Sequence, residues 1–179
     1  MSIPSSPLSP HETGESPLKH LLGSLALEEM ELLLQAAEMR HPAAWTSIHR
    51  PELDFSGPRV PLVEILEDTS QRVVVKKGVQ VGCTDSVALN RAIHFIASRQ
   101  SDVLYLFPTQ AVAGEFSAGR FNPLIERSPF LRKLFTIVDT VHHKRAGQAN
   151  FYIRGSNSEA QLISVPVQFL VIDEFDRMD

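Results

Sequence analysis

Apolar positions change their spacing several times along this chain, and each change marks an element. Across residues 25–40, Leu27, Met30, Leu33, Leu34 and Ala37 recur at helical spacing, while Glu28, Glu29 and Glu31 fall elsewhere on the wheel. That predicts a helix. Residues 41–61 carry Pro42, Pro51, Pro58 and Pro61 and read as an irregular connector, because proline fixes φ and removes a backbone donor. Eight of the twelve prolines precede Leu62, so the main compact domain is expected to start around that point.

From there strand-like and helix-like patterns alternate. Residues 62–66 suggest a short helix, and residues 72–75 form a β-branched run ahead of a turn at 77–82. Residues 84–97 are helical, with Val87, Ala88, Ala92, Phe95 and Ile96 near one face. Residues 102–107 read as a buried strand stopped by Pro108. Helices follow at 111–116 and 129–135, strands at 136–141 and 151–154, a turn at 155–158, and a last strand at 169–172. Alternation of this kind implies an α/β fold of three layers around a mostly parallel sheet. No internal repeat is present.

Composition narrows the class. Hydrophobic residues make up 43% of the 179 and charged residues 21%, the balance of a globular domain. No apolar run approaches the roughly 20 residues a membrane span needs, and no basic segment followed by an apolar core opens the chain. A single cysteine, Cys83, excludes an internal disulfide framework and suits a reducing cytoplasm. Net charge is −4, so a nucleic-acid partner would have to be met by a local basic patch rather than by bulk charge. Residues 1–17 are rich in Ser and Pro and poor in large apolar groups, and read as a disordered arm. The expected organisation is an arm over 1–17, a helix and Pro-rich connector over 18–54, and an α/β domain over 55–179.

Two segments carry chemistry. The final strand, Leu170-Val171-Ile172, delivers Asp173 and Glu174 to a sheet edge. Paired carboxylates there divide the work of nucleotide hydrolysis, one holding Mg²⁺ and the other orienting the attacking water. An exposed helix start explains the same pair equally simply. The first strand–turn–helix has the outline of a phosphate loop, in which backbone N–H groups at a helix start wrap a phosphate and a lysine neutralises it. The common pattern is Gly, four residues, Gly, Lys, then Ser or Thr. Here Lys77 stands where the first glycine would be, followed by Gly78, Val79, Gln80, Val81, Gly82, Cys83 and Thr84. Gly82 and Thr84 match, Cys83 replaces the lysine, and Lys77 reaches the same oxygens from the other end of the loop. Such turns also occur in α/β proteins that bind no nucleotide. The two segments in this order, with strand–helix units between them, are harder to obtain by chance.

With Leu106-Phe107-Pro108-Thr109, Glu115-Phe116-Ser117, Ile125-Glu126-Arg127-Ser128-Pro129-Phe130-Leu131 and Gly155-Ser156-Asn157-Ser158, these segments resemble the N-terminal ATPase part of the large terminase subunit of tailed phages. The resemblance covers residues 55–179 and implies a three-layer P-loop NTPase fold that hydrolyses ATP with Mg²⁺ to drive double-stranded DNA into a capsid. It implies that Lys77 and the backbone of Gly78, Val79, Gln80, Val81, Gly82, Cys83 and Thr84 hold the triphosphate. Thr84 and Asp173 would share Mg²⁺, and Glu174 would position water. The small terminase subunit, the portal protein and further copies in an oligomeric motor are implied as partners, at the procapsid in the host cytoplasm and away from any membrane. The family continues into a coupling motif and a nuclease domain, expected to be absent here, so the chain is expected to bind nucleotide weakly and turn over slowly. Two other readings stay open: a helicase-like nucleic-acid-dependent ATPase, and an inactive remnant acting only as an interaction module.

Smaller features weigh less. His142-His143-Lys144-Arg145 reads as an exposed hairpin tip or a DNA contact, and adjacent strand histidines point to opposite faces and cannot chelate one ion. Trp45 is expected to anchor the connector, and Cys83 to be a small residue at a helix start. Residues 54–58 fall where the family contacts the base, or form an ordinary turn.

Overall fold

The computed structural model describes residues 27–78, 80–157, 162 and 165–178. The arm expected over 1–17, the first residues of the predicted helix, Val79 in the loop and Ser158 in the turn lie outside the described residues. Helix α1 spans Leu27–Glu38, with Glu28 and Glu29 in its first turn, where carboxylates offset the helix dipole. Residues from Ala37 onward form one compact unit, and α1 is described by itself.

The proline-rich connector is partly helical, which corrects the expectation for 41–61. Helix α2, Pro42–His49, has proline at its first turn, the one helical position where a missing N–H costs nothing. The helix is retained because Trp45 is completely buried, stacked edge-on against His94 and Phe130. A 3₁₀ turn, Gly57–Arg59, leads into α3, Val60–Glu67, which buries Leu62 and Leu66. Glu67 accepts a hydrogen bond from the Ala43 amide at 2.6 Å, tying α3 to the start of α2.

The run at 72–75 is not a strand. Residues 72–78 have no regular structure, and Val74 is almost wholly exposed. β-Branched residues favour strands by packing against neighbours, and no described strand lies beside these. A π-helical segment, Thr84–Leu89, then runs into α4, Asn90–Arg99, as the helical pattern predicts.

After β1, Val103–Phe107, come α5, Gln110–Phe116, a π-helical turn Ser117–Phe121, α6, Asn122–Arg127, and α7, Pro129–Leu134. Strands β2, Ile137–Thr140, β3, His143–Ala146, and β4, Ala149–Gly155, form a meander, and β5 is Phe169–Ile172. The sheet order is β2-β3-β4-β1-β5. Pairing is parallel at β4-β1-β5 and antiparallel through β2-β3-β4. This is the expected α/β, P-loop NTPase-like fold, with the parallel strands gathered where the chemistry-bearing turns are.

Strand β3 corrects in part the reading of 142–145 as a hairpin tip: His142 lies in the β2–β3 turn, and residues 143–145 belong to the strand. Pairing with β4 draws this basic run into the sheet, so Lys144 is fully buried while Arg145, its neighbour, is exposed. Burial holds the Lys144 ammonium down to a pKa of about 8. His143 faces the other way and stacks flat on Tyr152 at 5.1 Å. The core lies on the face of β1 and β4 that presents Val103, Tyr105, Phe107, Phe151 and Ile153, packed with Ile93 and Ile96 of α4 and Phe116 of α5.

Candidate functional site

Parallel pairing of β1 with β5 places the turns after both strands at one edge. Leu106 lies opposite Ile172, and the Asp173 amide extends the ladder by donating to the Leu106 carbonyl at 2.9 Å. Asp173 therefore leaves the strand end in a fixed position, and it is buried. Both its carboxylate oxygens are engaged: Oδ2 accepts from the Tyr105 hydroxyl at 3.0 Å, and Oδ1 from the Glu174 amide at 3.0 Å. Burial, reinforced by the carboxylate of Asp173, pushes the Tyr105 hydroxyl well above its ordinary pKa, so it stays a donor. The Lys77 ammonium lies 3.9 Å from Oδ1.

Glu174 sits in the left-handed region, at φ 55° and ψ 42°, and opens the 3₁₀ turn Phe175–Arg177. A non-glycine residue in that region is uncommon and is held there by its surroundings. The strand thus breaks immediately after Asp173, and the Glu174 side chain diverges from the strand direction. Its Oε2 lies 3.4 Å from the Arg177 guanidinium on the surface.

The loop facing these carboxylates is built differently. Gln80 and Gly82 both have positive φ, 60° and 78°. The Gly82 carbonyl accepts from the Ser86 amide at 2.9 Å, which starts the helical segment carrying Thr84. Positive φ at Gly82 is the reason a glycine is needed there. Cys83 is buried at this turn, and burial pushes its thiol up in pKa, away from the reactive thiolate. It is a small, buried residue at a helix start.

Thr84, Asp173 and Glu174 line one cavity of about 180 Å³ together with Phe107, Val112, Glu115, Phe116 and Arg120. Lys77 approaches the same group through Asp173. The structure therefore brings together Lys77 and Thr84 with Asp173 and Glu174, about ninety residues later in the sequence. Gly82 and Cys83 lie on the turn beside them, while Val81 is exposed. Arg120 and Tyr105 were not singled out as site residues from sequence. Arg120 lies 3.8 Å from Asp85, and Tyr105 reads from sequence as one more apolar position in a buried strand. Only the β1–β5 register shows that its hydroxyl reaches Asp173.

The floor of this edge is interlocked. The Ser156 amide donates to the Phe107 carbonyl at 2.8 Å, and its hydroxyl to the Pro108 carbonyl at 2.8 Å. The Gly155 amide donates to Gln110 Oε1 at 2.9 Å, and Gln110 in turn donates its amide to Asn157 Oδ1 at 3.1 Å. Thr109 caps α5 by accepting from the Val112 amide. A methyl group at Gly155 would stand 2.1 Å from the Gln110 nitrogen, so the two turns can approach this closely only over a glycine.

These groups fit a nucleotide and its cation in donor type. Mg²⁺ takes hard oxygen ligands and is usually held by one or two protein groups plus phosphates. A buried carboxylate, Asp173, and a threonine, Thr84, that line one cavity are the residue types that supply such a pair. Among the described residues no group of three His, Cys, Asp or Glu side chains is placed to hold a metal without such help. No described helix is long and apolar enough to cross a membrane.

No curated protein and no solved structure matches this chain. A family model does: residues 60–179 match the phage terminase large subunit gpA, ATPase domain. That match spans the loop, the cavity and the closing carboxylates alike. The chain thus belongs to the phage terminase large subunit family, through an ATPase domain of the kind used in phage DNA packaging.

Proposed function

We propose that this domain hydrolyses ATP with Mg²⁺, in the cavity between the 77–84 loop and the end of β5. The observation that carries the reading is the convergence of Lys77, Thr84, Asp173 and Glu174 on one edge of the parallel strands. Lys77 and the backbone of Gly78, Val79, Gln80, Val81, Gly82, Cys83 and Thr84 hold the triphosphate, Lys77 standing in for the lysine that Cys83 replaces. Thr84 and Asp173 hold Mg²⁺. Held there, the cation would supply positive charge against the negative charge that develops on the phosphate during transfer. Glu174, beyond the strand and lining the same cavity, orients and deprotonates the attacking water. The 3.9 Å contact of Lys77 with Asp173 pairs the two groups in the absence of phosphate, and nucleotide draws the lysine away to its own oxygens.

Family membership supports a motor role as part of this proposal: hydrolysis drives translocation of double-stranded DNA, with the small terminase subunit and the portal as partners. Lys77→Ala and Glu174→Gln are each expected to reduce steady-state ATP hydrolysis to background. Unchanged rates in both variants would sink the catalytic assignment.

A further inference from the structure

The hydroxyl of Tyr105 belongs to no part of the chemistry assigned above, yet it is placed with unusual definition. Tyr105 is completely buried in β1, between β4 and the edge strand β5. Its ring is stacked against Phe107 at 4.8 Å and Phe116 at 5.2 Å, and it faces Phe151 at 6.4 Å. A phenylalanine would fill that stack equally well. The only polar atom of the side chain donates to Asp173 Oδ2 at 3.0 Å.

The register explains how it reaches. Tyr105 lies opposite Val171, and Asp173 follows two residues later, on the same face of the sheet and one step nearer the cavity. A side chain as long as tyrosine spans that diagonal. With the Glu174 amide on Oδ1, the carboxylate is gripped at both oxygens and its rotation is stopped. Oδ1, which accepts from the Glu174 amide, is also the oxygen that Lys77 approaches. Because Phe107 and Phe116 line the cavity and also stack on the Tyr105 ring, the hydroxyl is fixed relative to the cavity wall.

We propose that Tyr105 is a positioning residue for the cation site: its hydroxyl fixes the orientation of Asp173, and so sets the Mg²⁺-dependent part of nucleotide binding. This rests on the reading of Asp173 as a cation ligand. Groups that orient a metal ligand typically contribute about ten- to a hundredfold in metal affinity. A hydroxyl serving only to satisfy a buried carboxylate would affect stability and leave that dependence alone.

Tyr105→Phe removes one oxygen and keeps the stack. Binding of a fluorescent ATP analogue to the 179-residue chain is measured in Mg²⁺ and in EDTA. The gain in affinity conferred by Mg²⁺ is expected to shrink about tenfold in the variant, with affinity in EDTA within about twofold of wild type. A folded variant that keeps the full gain overturns the role of Tyr105 and leaves the site assignment standing. A wild-type chain whose nucleotide affinity is the same in both buffers overturns the site assignment as well. A second measurement needs no variant at position 105. The chain has only two tyrosines, so 3-fluorotyrosine labelling gives two ¹⁹F resonances, assigned through Tyr152→Phe. The Tyr105 resonance is expected to move when Mg²⁺ joins bound nucleotide, and a resonance indifferent to Mg²⁺ overturns the proposal.

Discussion

The two halves of the candidate site are held by different means. The carboxylate half is part of the sheet: Asp173 is fixed by a ladder hydrogen bond, by Tyr105 and by the Glu174 amide, over turns interlocked through Gly155, Gln110 and Ser156. The loop half is not. Residues 72–78 have no regular structure, Val74 is exposed, and the loop is fixed mainly where Gly82 opens the helical segment. On the proposed assignment, the comparison teaches that groups handling the cation and the water need fixed positions, whereas a loop that wraps phosphate can take its final shape from the ligand. Such ligand-shaped segments come from the less stable part of a fold.

The most severe way to break the contrast is Gly155→Ala. A Cβ 2.1 Å from the Gln110 backbone nitrogen cannot be relieved by a side-chain rotation, so the turns must separate. A loss of about 3 kcal/mol or more in stability is expected, measured by urea denaturation. Trp45→Ala, remote from the site, is expected to cost about 3 to 5 kcal/mol because it empties a fully buried position. Gly82→Ala tests the loop at a left-handed backbone position and should cost about 1 kcal/mol, with a loss of nucleotide binding larger than the stability change suggests. Val74→Thr, in the exposed run, should stay within about 0.5 kcal/mol of wild type. If Val74→Thr proves as costly as a core substitution, the loop half is packed after all and the contrast fails.

The smallest effect expected is one of pH. Burial holds His94 and His49 below the ordinary histidine value of 6.5, the Glu38 carboxylate pulling His49 only partly back. Each binds its proton less readily folded than unfolded, so below about pH 6.5 the unfolded chain takes up more protons. Stability contributed by the neutral rings is therefore present above that pH and lost as pH falls through the folded values. A denaturant midpoint that declines from pH 7 to pH 5, and declines less in His94→Gln, is the expected pattern.

Much of this was legible in the sequence because local pattern and tertiary demand agreed. The 169–172 strand, the Pro108 stop, the 84–97 helix and the Asp173–Glu174 pair were all readable for that reason. Where they disagreed, reading failed. Val73, Val74 and Val75 have strand propensity but no described strand beside them, and propensity without a pairing strand makes no strand. Pro42 suggested irregularity, yet proline at a first turn is compatible with a helix, and buried Trp45 holds that helix in place. The run from His142 to Arg145 looked like a charged tip until pairing with β4 drew Lys144 inside. Tyr105 was invisible for a further reason: its partner is 68 residues away, and register between parallel strands is not written in either one.

The account turns on Glu174 acting in chemistry rather than in binding. The most direct measurement follows one preparation of Glu174→Gln in two assays, equilibrium binding of ATP in Mg²⁺ and single-turnover hydrolysis of the bound nucleotide. Binding within about threefold of wild type, with hydrolysis slowed at least about a hundredfold, is the expected result. Hydrolysis at the wild-type rate from a variant that still binds ATP would contradict it.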